Sequence, residues 1–159
     1  MSKKIFSMLI VLLVFVSLAS VFAVETTTHD FDGLFNMNVP SNEDFVTIDS
    51  NITGASVFGY NFNDEDPIGD NIIVYYFNDS IVDDNDTNIT EYVINTLDEN
   101  STFKHPYVED GFIILSNQVI QHDGAYMLIT SNGNDTEVVG VVGDNLDDLK
   151  TYAESIAFV

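Results

Sequence analysis

The chain has 159 residues, a length typical of one domain, and its four Lys, absent Arg and 26 acidic residues give a net charge of −22. This charge argues against nucleic acid and anionic lipid as partners, because proteins bind both through Lys and Arg. The absence of Cys excludes disulfides, thiolate metal sites and a Cys nucleophile.

The first 23 residues have the pattern of a secretory signal peptide. Two Lys precede an apolar run at residues 5–16, and residues 21–23 predict cleavage after Ala23. The alternative is a retained membrane anchor, although the run is shorter than the about 20 residues that span a bilayer. All acidic residues follow Ala23, so the exported part carries two Lys against 26 acids, 2 − 26 = −24.

The rest of the chain is predicted to be a flexible leader at residues 24–32 and a single domain at residues 33–159. Apolar residues that alternate with polar ones indicate half-buried strands, whereas a continuous apolar run indicates a central strand covered on both faces. The run at residues 71–77 is continuously apolar and therefore predicts a central strand. The other strands predicted in this half are at residues 33–40, 45–48 and 55–62.

A helix is predicted at residues 88–98, where Asn88 and Glu91 resemble a capping box. Residues 100–110 are predicted to be irregular, because Pro106 disfavours helix at His105. Strands are then predicted at residues 111–116, 125–130 and 136–142, the first of them continuing through 118–121.

The last two of these strands form a hairpin around Asn132-Gly133. The final helix begins after Asp144 or Asn145, either of which could cap it. Its apolar stripe is formed by Leu146, Leu149, Tyr152, Ala153 and Ile156. Together these elements predict an α+β fold in which two helices pack on an antiparallel sheet.

Both ends of the exported part resemble PsbP-like domains, and they also resemble small secreted proteins of methanogenic archaea. The similar stretches are residues 31–40 with Phe45, and residues 143–158, which together cover about a quarter of that part. The resemblance implies an α/β/α sandwich around an antiparallel sheet and a binding or assembly role. The near-absence of basic residues departs from that family, and no functional residue is carried over.

Six Asn-x-Ser/Thr sequons predict N-glycosylation if the host is an archaeon or a eukaryote. The alternative is a set of plain polar loops. Asn88 is the least favoured site because it is also the predicted helix cap. The other candidates are Asn51, Asn78, Asn85, Asn100 and Asn134.

Two acidic loops contain the oxygen ligands that Ca²⁺ prefers, and they predict at most weak binding. The second loop starts like an EF-hand, but Ile89 stands where that loop needs Gly and Asn95 where it needs Glu. Solvated loops are the simpler interpretation, and no other cofactor is predicted. The candidate ligands are Asp64, Asp66 and Asp70 in the first loop and Asp84 and Asp86 in the second.

No catalytic motif was found in the sequence, and the histidines at 29, 105 and 122 lack metal-ligand spacing. We interpret them as surface or turn residues. Several aromatic residues fit a core better than a glycan or peptide groove: Tyr60, Tyr75, Tyr76, Phe77 and Tyr92.

The functional hypothesis from the sequence is a secreted or cell-surface, non-enzymatic module of an archaeal cell envelope. It would bind an unknown surface protein or cell-wall component that is cationic or bridged by cations. Two alternatives remain open. One is a Ca²⁺-dependent adhesion domain, and the other is a secreted hydrolase that uses two carboxylates.

Overall fold

The structure is a computed structural model that describes residues 26–41, 45–50, 52, 54–60, 72–82, 88–100, 103–117 and 125–159. Within these ranges the chain forms ten β-strands and two α-helices. The strand continuation predicted at residues 118–121 lies outside them.

The predicted fold class was wrong. Strands make up 55% of the described residues and form two antiparallel sheets, so the described part is β-rich rather than an α+β or PsbP-like α/β/α sandwich with packed helices. The prediction missed three strands. One lies in the expected leader, one lies in the segment expected to be irregular, and the third is a two-residue strand at Ala157–Phe158.

The larger sheet has seven strands in the order β3-β4-β5-β9-β8-β7-β6, and every neighbouring pair is antiparallel. Strands β5 and β9 pair at its centre and carry apolar residues on both faces. In spatial order the strands are β3 (Phe45–Ile48), β4 (Ser56–Tyr60), β5 (Ile72–Asn78), β9 (Glu137–Gly143), β8 (Ala125–Ser131), β7 (Phe112–Asn117) and β6 (Phe103–Glu109).

The smaller sheet has three strands, β1 (Thr26–Phe31), β2 (Phe35–Pro40) and β10 (Ala157–Phe158), in the order β1-β2-β10. Strand β1 corrects the prediction of a flexible leader, because its backbone pairs with β2 along its whole length. Strand β2 confirms its prediction, with Phe35, Met37 and Val39 buried on one face.

The two helices are α1 (Ile89–Asn100) and α2 (Leu146–Glu154). Asn88 Oδ1 accepts a hydrogen bond from Glu91 N at 2.7 Å, so the predicted cap of α1 is confirmed. Asn145 Oδ1 accepts from the backbone N–H groups of Asp147 and Asp148, so Asn145 caps α2.

The large sheet carries a separate apolar core on each face. On one face, Ile89, Val93 and Leu97 of α1 pack on the sheet. The other face is covered by the small sheet and α2 together. Strand β5 serves both cores because its side chains alternate between faces.

Strand β6 corrects the prediction of an irregular segment at residues 100–110. It is an edge strand, and its register shifts between Lys104 and Tyr107, where His105 has a φ of 56°. An edge bulge tolerates Pro106, because the missing N–H need not reach a neighbouring strand. The presence of Pro106 in residues 100–110 was therefore compatible with a strand.

The β6–β7 hairpin turns at Asp110-Gly111, whose φ values of 52° and 88° are both in the left-handed region. These values suit a type I′ turn, for which Asp-Gly is a preferred pair. This dipeptide was the sequence feature that could have identified β6.

Candidate functional site

Three sequons come together at one end of the large sheet. Asn78 ends β5 and pairs in register with Glu137, the first residue of β9. Asn134 lies in the β8–β9 loop directly beyond that pair, and Asn88 caps the start of α1. Thr90, in the first turn of α1, hydrogen-bonds Asp135 of the same loop, so the three sites belong to one region.

A hydrogen-bond network built around Glu137 holds this end of the sheet. The Tyr76 hydroxyl donates to Glu137 Oε1 at 2.6 Å, and Asn132 Nδ2 donates to Glu137 Oε2 at 2.8 Å. Asn132 Nδ2 also donates to Thr136 Oγ1 at 2.9 Å. Both carboxylate oxygens of Glu137 therefore have donors.

The β8–β9 loop confirms the predicted hairpin, although the turn is longer than a two-residue Asn-Gly turn. Asn132 N donates to Glu137 O, and Asp135 N donates to Asn132 O, both at 3.0 Å. Thr136 N donates to Asn132 Oδ1 at 2.9 Å. The left-handed residue is Asp135, at a φ of 52°. Asn132 thus fixes the loop from both its backbone and its side chain.

Tyr76 is 5% exposed, and its burial is the largest cause that raises the pKa of the phenol. The hydrogen bond to Glu137 and the negative charge of that carboxylate act in the same direction, and together these causes raise the pKa of Tyr76 to about 12. The phenol is consequently held neutral, as the donor to Glu137.

We expect Tyr76→Phe to lower the free energy of unfolding at neutral pH by about 1.5–3 kcal/mol, since a hydrogen bond to a charged group is lost. The folded-state pKa of Tyr76 is raised above the unfolded value, so its contribution is complete below about pH 10 and declines toward pH 12. The stability difference between wild type and variant should therefore shrink over this range.

Urea unfolding of both proteins between about pH 8 and pH 12 measures this difference. Tyr75 and Tyr107 also have raised pKa values but are present in both proteins, so they cancel in the comparison. Parallel pH profiles for the two proteins would contradict the assigned role of Tyr76.

The two lysines that follow residue 23 are both engaged by carboxylates. Lys150 Nζ lies 2.6 Å from Glu109 Oε1 and 2.7 Å from Asp110 Oδ2, which ties α2 to the β6–β7 turn. These hydrogen bonds raise the pKa of Lys150. Lys104 Nζ lies 3.8 Å from Asp98 Oδ1. Neither lysine is left as an isolated positive charge.

A cleft of about 420 Å³ lies beside the β3–β4 connection, where it meets the turn of the small sheet. Its lining is mixed, with apolar residues that include Leu34, Ile52 and Phe58. Two carboxylic acids, Asp32 and Asp49, also line it. Two acids in one cleft are the minimum set for hydrolysis by paired carboxylates.

The predicted Ca²⁺ ligands lie outside the described residues, so weak Ca²⁺ binding stays a prediction. Among residues that the structure describes, no group of three or more His, Asp or Glu is placed to hold a metal ion. The positions outside are Asp64, Asp66, Asp70, Asp84 and Asp86.

The remaining sequence-predicted sites are only partly described. Asn51, Asn85 and the cleavage site at Ala23 lie outside the described residues. Asn100 is the last residue of α1, and its side chain is not described. Across the described ranges, no helix has the length and apolar character that a membrane span requires.

Two histidines are described, and they differ in environment. His29 is half-buried on β1, where its ring lies 4.7 Å from that of Phe31 and 5.3 Å from that of Phe45. His105 is exposed at the β6 bulge. His29 is therefore a half-buried member of an aromatic cluster, His105 lies at the surface, and His122 lies outside the described residues.

Of the five aromatic residues considered for a groove, two are core residues. Tyr76 and Phe77 are buried, on opposite faces of the large sheet. Tyr75 and Tyr92 are half-buried, and the side chain of Tyr60 is not described. The core interpretation is confirmed for Tyr76 and Phe77.

No protein-family model matches the chain, and no curated protein matches it. These comparisons do not identify a PsbP-like domain, so that resemblance stays a prediction.

Proposed function

We propose that this chain is an exported, non-enzymatic binding or assembly module of the cell envelope, whose partner is cationic or bridged by cations. The observation that carries the proposal is the distribution of charge. The part after Ala23 has two Lys against 26 acidic residues, and both Lys are paired with carboxylates.

Pairing of the lysines removes the local positive potential that an anionic partner would need. A surface with one sign of charge repels partners of that sign and accelerates encounter with partners of the opposite sign. A cationic protein segment or a cation-coated polymer fits this surface, whereas nucleic acid and anionic lipid do not.

The test is binding of the exported protein to immobilised poly-L-lysine, with poly-L-glutamate as the matched surface of opposite sign. We expect binding to poly-L-lysine alone, with an affinity that falls at least tenfold between about 0.05 and 0.5 M NaCl because salt screens charge. Heat-unfolded protein carries the same net charge, so it is the control that shows whether binding needs the folded surface. We expect it to bind at least tenfold more weakly than the folded protein.

Equal binding of folded and unfolded protein would mean that charge alone acts, and it would contradict a module with a formed binding surface. Binding to poly-L-glutamate without added metal would also contradict the proposal. A Ca²⁺-dependent gain on poly-L-glutamate, reversed by chelator and not reproduced by Mg²⁺, would support the cation-bridged form.

The cleft that contains Asp32 and Asp49 favours a second candidate, a hydrolase acting through two carboxylates. Under that hypothesis, Asp32→Asn and Asp49→Asn would each abolish hydrolysis of an envelope polysaccharide or peptide while leaving binding to poly-L-lysine unchanged. Absence of hydrolysis by the wild-type protein would rule this candidate out.

A further inference from the structure

We propose that Asn134 is the N-glycosylated residue among the three sequons whose side chains the structure describes, and that Asn78 and Asn88 serve the fold instead. The inference is independent of the proposed function. It depends on what each amide contacts in the folded chain.

Asn134 presents its side chain to solvent. It is exposed, and within the described part of the chain its side chain makes no hydrogen bond. The loop beneath it is fixed by the hydrogen bonds of Asn132 and by the contact between Thr90 and Asp135. A glycan on Asn134 would project from a rigid hairpin tip without displacing any protein contact.

Asn78 is engaged through its amide oxygen. Its Oδ1 accepts from Ser80 N at 3.1 Å and from the Ser80 hydroxyl. These bonds hold the amide against the turn that follows β5, where Asn78 is half-buried. A sugar on Nδ2 would be held beside that turn.

Asn88 is oriented by its role as a helix cap. Its Oδ1 accepts from Glu91 N at 2.7 Å, and this bond fixes the plane of the amide against the first turn of α1. A glycan leaves the oxygen in place, but it would be held beside that turn and beside the loop that Thr90 contacts. The free amide of Asn134 has neither constraint.

The modification is a group transfer from a polyprenyl phosphate-linked oligosaccharide, the co-reactant. Asn134 Nδ2 forms a bond to the anomeric carbon of the first sugar as the bond from that carbon to the phosphate oxygen breaks. The phosphate oxygen retains the electron pair, and Nδ2 loses one proton to a base of the transferase. No oxidation or reduction takes place.

Thr136 supplies the hydroxyl of the sequon. In the folded chain this hydroxyl accepts a hydrogen bond from Asn132 Nδ2. A hydroxyl has one donor and two acceptor sites, so this single bond leaves its proton and its second lone pair available.

The test is glycopeptide mass spectrometry of the protein isolated from its own cells, with site occupancy measured at the three residues. We expect a glycan at Asn134 at several times the occupancy of Asn78 or Asn88. An unmodified Asn134, or an occupancy at Asn78 or Asn88 equal to that of Asn134, would overturn the proposal.

Two matched variants separate modification from folding. Asn134→Gln retains an amide but breaks the sequon, so we expect loss of the glycan mass and an unchanged urea midpoint relative to enzymatically deglycosylated wild type. Asn78→Gln should leave the glycan mass unchanged and lower the urea midpoint. The reverse pattern would assign the glycan to Asn78.

Discussion

Replacing Phe35 by Ala is expected to lower the free energy of unfolding by about 3–5 kcal/mol, the range for a buried Phe truncated to Ala. Phe35 is fully buried, with its ring stacked 4.5 Å from that of Phe31 and 5.9 Å from that of Tyr76. Removing it leaves a cavity between the two sheets. The loss is a large fraction of the about 5–15 kcal/mol that stabilises a typical domain.

Urea unfolding followed by circular dichroism measures this loss, and Val46→Ala is the matched control. Val46 lies on β3 and is 54% exposed, so its truncation should change stability by no more than about 0.5 kcal/mol. A cost for Phe35→Ala as small as that of the control would contradict the packing of the small sheet on the large one.

Gly54→Ala is the second substitution with a large expected effect, and Gly33→Ala is its control. Both glycines have φ in the left-handed region, +81° for Gly54 and +72° for Gly33. An Ala at either position costs about 1–2 kcal/mol of backbone strain. At Gly54 the new Cβ would also lie 2.1 Å from Ile81 Cγ2, whereas at Gly33 nothing lies within 4 Å.

We therefore expect Gly54→Ala to lower the free energy of unfolding by about 1–3 kcal/mol more than Gly33→Ala does, which is the usual cost of overpacking. Ile81→Ala removes the clashing methyl group, so in that background the cost of Gly54→Ala should fall toward that of Gly33→Ala. A double-mutant cycle from urea midpoints measures this coupling. Equal costs for the two glycine variants would contradict the contact between Gly54 and Ile81.

The elements with strong local patterns could be predicted from the sequence. The alternation of Phe35, Met37 and Val39 identified β2, and the continuous apolar run at residues 71–77 identified the central strand. The cap of α1 at Asn88 was also recognised, and the cap of α2 was narrowed to Asp144 or Asn145, because a cap acts on backbone groups only two or three residues away.

Some of the missed strands are stabilised by pairing with another strand rather than by their own pattern, and others contain a residue that strands usually exclude. Strand β1 is polar and mostly exposed, and its strand conformation comes from pairing with β2 rather than from its own pattern. Strand β6 contains Pro106, which an edge bulge accommodates. With these two strands and the two-residue β10 missed, the second sheet and the β-rich class could not be derived.

The polar network at the sheet end could not be predicted from the sequence either. Tyr76 and Glu137 are 61 residues apart, and they meet because β5 and β9 are neighbours in the large sheet. A short sequence motif cannot predict a contact between two residues so far apart in the chain. The sequons were visible in the sequence, but their different surroundings depend on this register.

The most direct test of the proposed envelope module is salt extraction of the cell envelope, followed by immunodetection of the protein. The account predicts that the protein sediments with the envelope at low ionic strength and is released, still folded, as NaCl rises from about 0.05 to 1 M. Release by chelator at low salt would identify a cation-bridged contact. A protein that stays bound throughout the salt series without release by chelator, or that is found wholly in the medium at low salt, would contradict it.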